Sequence, residues 1–83
     1  MITFSSQRPV PGNVLIMLSD KPMRWLVDGP LGIVCASTGE LVSVIFMLEL
    51  GRGEYRMYVL LPSGTIAYRI WSDVAEHRVG IVI

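Results

Sequence analysis

Between Leu41 and Trp71 the chain reads LVSVIFMLEL, GRGE, YRMYVLLPSG and TIAYRIW. Apolar residues recur at every second position, and two glycine-containing interruptions break the run. Successive side chains of a strand point to opposite faces, so this pattern predicts three extended segments joined by tight turns, an antiparallel meander. In the first segment Val42, Val44, Phe46, Leu48 and Leu50 share one face. Ser43, Ile45, Met47 and Glu49 share the other, and only this second face has polar members, so the even positions are expected to build the core. In the next segment Tyr55, Met57, Val59 and Leu61 oppose Glu54, Arg56, Tyr58 and Leu60. The last segment sets Thr65, Ala67, Arg69 and Trp71 against Ile66, Tyr68 and Ile70.

The flanking chain is shorter in its elements. Residues 1–12 mix Ser, Gln, Arg, Pro and Gly and read as an N-terminal arm that Ile2 and Phe4 could anchor. Residues 13–83 form the domain proper. Asn13 to Ser19 is a strand rich in branched residues. Met23 to Asp28 is either a strand or the arm of a long loop, stopped by Asp28-Gly29-Pro30. Leu31 to Thr38 has no clean alternation and reads as a strand buried on both faces, with Cys35 inside. Ser72 to Arg78 suits one helical turn, with Ser72 or Asp73 as cap and Asp73 with Glu76 at the spacing of a capping pair. Val79 to Ile83 is a terminal strand that needs a partner, because so apolar an edge invites aggregation.

Strand, long loop, strand, meander, helical turn and short terminal strand is an order that resembles SH3-like barrels. The likeness covers Asn13 to Ile83 and rests on Gly32-Ile33-Val34 after the long loop and on Asp73 to His77 before the final strand. It implies an all-β fold: a small SH3-like barrel of five to six antiparallel strands with one short helical turn near the C-terminus. An OB-like or Sm-like barrel is the competing reading. The acidic loop, paired tryptophans and proline-tyrosine pair of peptide-binding SH3 domains are missing, so their proline-rich ligands do not carry over.

Composition narrows the function. The 83 residues are one domain near the lower size limit for an independent core. A hydrophobic fraction of 52% with only 17% charged residues exceeds the ordinary balance of roughly 45–50% and 25%. Such a chain either buries its apolar residues with unusual completeness or covers them with another subunit. Seven basic residues cancel seven acidic ones, which disfavours nucleic-acid binding, where a basic excess neutralises phosphates. The longest apolar run, Val44 to Leu48, is far below the roughly 18 residues of a membrane helix, and no signal-peptide pattern opens the chain. The expected setting is cytoplasmic, without membrane association.

Candidate chemistry is sparse. Cys35 and His77 are the one nucleophile–base combination, with Asp73 or Glu76 as orienter, and a buried cysteine weighs against it. One cysteine and one histidine supply no metal-ligand spacing, so no metal and no cofactor is expected. Gly51-Arg52-Gly53 lies between strands and is a hairpin turn rather than a phosphate loop. A catalytic role is therefore not expected.

The remaining signal is a surface. Trp25, Ile45, Met47, Tyr58, Leu60, Tyr68 and Trp71 exceed what a core of this size hides, and Trp, Tyr and Met are enriched at interface centres. They are the expected contact residues for a protein partner or for self-association. The alternative is a nucleic-acid surface in which Arg52, Arg56 and Arg69 interleave with Tyr58 and Tyr68 on the exposed sheet.

Overall fold

The computed structural model describes residues 2–4, 8–29, 32–75 and 79–82. Eight strands and one short helix follow in the order β1 (Ile2–Phe4), β2 (Val14–Met17), β3 (Met23–Leu26), β4 (Ile33–Ala36), β5 (Leu41–Gly51), β6 (Glu54–Leu60), β7 (Ile66–Ile70), α1 (Trp71–Ala75) and β8 (Val79–Val82). The all-β expectation holds, but five to six strands become eight. Ile2–Phe4, within the N-terminal arm, is a strand beside β8, and Met23–Leu26 is a strand rather than loop. All eight belong to one antiparallel sheet in the order β1-β8-β2-β5-β6-β7-β3-β4.

The meander β5-β6-β7 occupies its centre, as the alternating pattern required. On one side β5 pairs with β2, and the terminal strand β8 is inserted between β2 and β1. The apolar sequence Val79–Val82 thus has a ladder on both edges. On the other side the β3–β4 hairpin joins β7 through a single pair, Leu26 with Tyr68.

The sheet curls. Eight strands at the usual ~4.8 Å spacing would make a flat ribbon about 34 Å wide with its ends far apart. Instead Leu15 and Met17 of β2, Trp25 of β3, Ala36 of β4, Val44 of β5, Met57 of β6 and Val79 of β8 share one buried cluster. The β4–β5 turn brings the β4 end back to β2: the Gly39 amide donates to the Met17 carbonyl at 2.7 Å, and the Met17 amide to the Glu40 carbonyl at 3.0 Å. The Thr38 hydroxyl donates to the Ser19 carbonyl across the same junction. Among the described residues no ladder joins β1 to β4, so the result is a curled, open half-barrel. Val74 of α1 is fully buried beside this core, and Trp71 packs against it.

A β-bulge decides which side chains enter that core. Val44 faces Val59, but the next pair is Phe46 with Tyr58, so β5 advances two residues while β6 advances one. Ile45 is the extra residue. The inserted residue inverts the phase of everything after it. Val42 and Val44 point inward as expected. Beyond the bulge Met47, opposite the fully buried Met57, is the inward residue, whereas Phe46, Leu48 and Leu50 are exposed. The expectation that even positions line the core along the whole strand is corrected from Phe46 onward. A second irregularity between Glu49 and Gly51 precedes the hairpin turn, where Arg52 at φ 54° lies between Gly51 and Gly53 at φ 97° and 76°.

The phase inversion sets a direct comparison. Met47→Glu places a charge against the core and is expected to cost about 2–4 kcal/mol of stability. Phe46→Glu, one residue away and outward, is expected to change stability by less than about 1 kcal/mol. Urea denaturation of both variants checks this, and equal losses would contradict the observed register.

Candidate interaction surface

Cross-strand partners share a face of the sheet, so the pairing identifies the outer surface residue by residue. On β5 it comprises Ser43, Phe46 and Leu48; on β6 Leu60, Tyr58 and Arg56; on β7 Ile66, Tyr68 and Ile70. Across the single β7–β3 pair it continues through Leu26 and Arg24, then through Ile33 and Cys35 of β4. A sheet with one face in a core ordinarily alternates apolar and polar. Here the second face is also apolar: Phe46 is 53% exposed, Ile66 57%, Ile33 47% and Leu26 45%.

At its centre three aromatic rings lie across three adjacent strands. Phe46 and Tyr58 have ring centroids 6.1 Å apart, and Tyr58 and Tyr68 5.5 Å apart, both pairs tilted. These separations fall in the favourable range for aromatic pairs. The Arg56 guanidinium lies 5.1 Å from the Tyr68 ring centroid, and its Nη1 donates to the Tyr58 hydroxyl at 3.4 Å. That hydrogen bond is the main cause holding Arg56 above its ordinary pKa; desolvation acts against it, and the fields of Tyr58, Tyr68 and Asp28 add to it. Arg56 is therefore a fixed cation set in an aromatic surround. Its buried Nε finds no acceptor among the described residues.

The expected contact residues divide. Tyr58, Leu60 and Tyr68 lie on this face, and Ile45 projects from the bulge beside it. Trp25 does not belong to it: the indole is 0% exposed and is the largest fully buried side chain. Its parity on β3 places it inward, opposite Val34, because Arg24 and Leu26 take the outer positions. Met47 is turned inward by the bulge, and Trp71 begins α1 rather than ending β7 and packs on the core. Phe46, Ile66, Leu26 and Ile33 were not among the expected contacts. Period-two parity on β7 already placed Ile66 beside Tyr68; Phe46 needed the bulge, which no residue type in LVSVIFM announces.

The arginines of the alternative surface are dispersed. Arg52 occupies the hairpin turn and Arg56 the aromatic row. Arg69 faces inward by parity, and its side chain is engaged elsewhere. Nη1 donates to the Arg24 carbonyl at 3.0 Å, and Nη2 lies 3.6 Å from Asp73. That ion pair is half exposed and is worth little by itself, about 0.2–1 kcal/mol. It makes Asp73 a partner of Arg69 within the first turn of α1; its proposed capping partner Glu76 lies outside the described residues. Where Arg69 bridges them β3 and β7 part, and a cleft of about 200 Å³ opens between Arg24, Leu26, Ile33, Ile70, Arg69 and Asp73.

Cys35 also departs from expectation. It is exposed on the outer face opposite Arg24, because β4 is an edge strand covered on one face only. His77 lies outside the described residues. Among the described residues no group of three His, Cys, Asp or Glu side chains converges. No helix among them is long and apolar enough to cross a membrane.

No protein-family model, curated protein or solved structure matches this chain.

The accessibility of Cys35 has a simple readout. A thiol-specific alkylating reagent is expected to label the native protein stoichiometrically, at a rate within about tenfold of the urea-unfolded chain. Protection until unfolding would place the thiol in the core and reverse the facing of β4.

Proposed function

We propose that this domain is a non-catalytic interaction module or small subunit that associates with itself through the outer face of its sheet. The observation that carries the reading is the apolar outer face with the Phe46–Tyr58–Tyr68 row at its centre. Half-exposed Leu26, Ile33, Phe46, Leu48, Leu60 and Ile66, with the partly exposed tyrosines, present an apolar area on the order of 600 Å². The net charge of zero supports a like partner, since two copies meet without overall repulsion. The SH3-like barrel reading and a cytoplasmic setting belong to the same proposal. The central meander, single helical turn and short terminal strand support the first; β1 beside β8 is an addition to that plan.

Light scattering over a concentration series tests the self-contact. The wild-type chain is expected to shift from monomer to dimer with concentration, and Phe46→Glu to raise the dissociation constant at least about tenfold, as burying an unpaired carboxylate requires. A wild-type chain that remains monomeric at millimolar concentration would overturn the proposal.

The Arg56–Tyr68 contact favours one second reading, a stacking surface for single-stranded nucleic acid. Arg56 is already engaged with two tyrosines and Arg69 points away, so self-association predicts a definite result against it. Wild type and Arg56→Ala are expected to leave a phosphate matrix at the same salt concentration. Strong retention of the wild type alone would favour nucleic acid.

A further inference from the structure

The ladder between β3 and β7 stops after one rung, and strand geometry fixes which groups are left beyond it. The Val27 amide donates to the Gly32 carbonyl at 3.0 Å, and the Leu61 amide to the Thr65 carbonyl at 2.9 Å. Hydrogen-bonded and non-hydrogen-bonded pairs alternate along an antiparallel ladder. Counting from these two bonds, Met23 and Trp25 bond to β4, and Ala67 and Arg69 bond to β6. The backbone groups of Arg24, Leu26, Tyr68 and Ile70 therefore point into the space between β3 and β7. Leu26 and Tyr68 meet there; Arg24 and Ile70, next in the same register, do not. Their gap is the cleft of about 200 Å³. Both carbonyls have other work. Arg69 donates to that of Arg24 at 3.0 Å, and Ile70 directly precedes α1, the position whose carbonyl accepts the first bond of a helix. Two amide donors remain, aimed across the gap.

We propose that this cleft binds a short aliphatic monocarboxylate, of about four to six carbons, with its head group at the unmade Arg24–Ile70 rung and its alkyl chain between Leu26, Ile33 and Ile70. Charge selects the head group. Arg24 and Arg69 bring two positive charges against the one negative charge of Asp73. Asp73 lies 3.6 Å from Nη2 of Arg69, and among the described residues no carboxylate pairs with the Arg24 guanidinium. Arg24 is thus the cation left for a ligand. A guanidinium and two amides are donors that the two oxygens of a carboxylate accept from together. A cationic ligand would meet Arg24, and a dianion would bring a second charge toward Asp73. Size and walls select the rest. A cavity of about 150 Å³ takes benzene, with its six heavy atoms, so about 200 Å³ takes about eight, the number in hexanoate. Leu26 and Ile33 are cross-strand partners, both nearly half exposed, and each CH₂ that they cover adds up to about fourfold in affinity. The site is complete within one copy of the chain and does not depend on self-association.

Titration of the folded chain with sodium hexanoate, followed by amide-resolved NMR, tests the site. Saturable shifts are expected, largest at the Arg24 and Ile70 amides, with half-saturation at millimolar concentration or below. Butyrate is expected to bind at least about fivefold more weakly, and hexanol, which lacks the charge, at least about tenfold. N-acetyl-leucine presents the same head group as the end of a peptide chain. It is expected to bind less tightly than hexanoate, because its amide would lie between aliphatic walls without a partner. Tighter binding would assign the cleft to a peptide terminus and overturn the free-acid reading. Arg24→Gln is expected to weaken hexanoate at least about tenfold, and Arg24→Lys to recover part of the loss. If Arg24→Gln fails to fold, Ile33→Asp, on the exposed edge strand, is expected to weaken it at least about as much by repulsion. Phe46→Glu is expected to bind hexanoate as the wild type does, so failure of this site and failure of self-association are read separately. Shifts that do not saturate, that are alike for hexanoate and hexanol, or that persist unchanged in Arg24→Gln overturn the proposal.

Discussion

One inserted residue in β5 governs both surfaces of this domain. Ile45 has no partner of its own on β6, and the strand resumes its ladder one step out of phase. Had β5 continued without it, Phe46 and Leu48 would have met Met57 in the core and Met47 would have faced solvent. The bulge instead sends the flexible Met47 inward to fit between Met57 and its neighbours, and delivers an aromatic ring to the outside opposite Tyr58. Bulges also increase local twist and bend the strand. In a sheet whose eight strands enclose one core, a bend in the longest strand is what curvature requires.

That curvature explains the uneven strength of the ladders. β5, β6 and β7 are paired along most of their lengths, while β3 meets β7 at one residue pair. A sheet that turns this sharply must splay somewhere, and the backbone groups exposed at the splay need partners. Arg69 supplies one by reaching from the inner side of β7 to the Arg24 carbonyl. The β3–β4 hairpin is held as much by its buried side chains as by hydrogen bonds. Met23, Trp25 and Ala36 all enter the core, so Trp25 acts as the anchor of an otherwise loosely paired edge. Among the described residues its indole Nε1 is buried without an acceptor, a cost of about 1–3 kcal/mol set against the largest fully buried side chain there.

Much of this was legible in the sequence. Alternation from Leu41 to Trp71 gave the meander, its turns and the division of β6 and β7 into two faces; it did not choose the inner face of β7, where Ala67 and Arg69 turn inward and the apolar Ile66, Tyr68 and Ile70 turn outward. The terminal strand followed from the insolubility of Val79–Val82 as an edge. What could not be read has physical causes. Bulges depend on the match between two curved strands rather than on residue type, so the phase of Phe46 and Met47 was lost. Burial of Trp25 depended on β3 being a strand at all, and the five residues between Pro22 and Asp28 do not declare a period. Cys35 sits in a run, Ile33–Ala36, whose lack of alternation suggested burial on both faces. The strand is apolar for a different reason: its outward side chains extend the apolar outer face to the sheet edge.

The single charged group in the aromatic row limits what can cover that face. Arg56 is held by two tyrosines, yet its Nε is withdrawn from water with no acceptor among the described residues. A purely aliphatic surface laid over it would strip the remaining hydration from the guanidinium and gain nothing in return, a penalty that grows steeply with burial. A surface carrying hydroxyls or carbonyls at that place can accept from it while still stacking on Tyr68. The face therefore selects for an aromatic, hydroxyl-bearing counterpart over plain hydrocarbon, and its own central residues, Tyr58 and Tyr68, are of that kind.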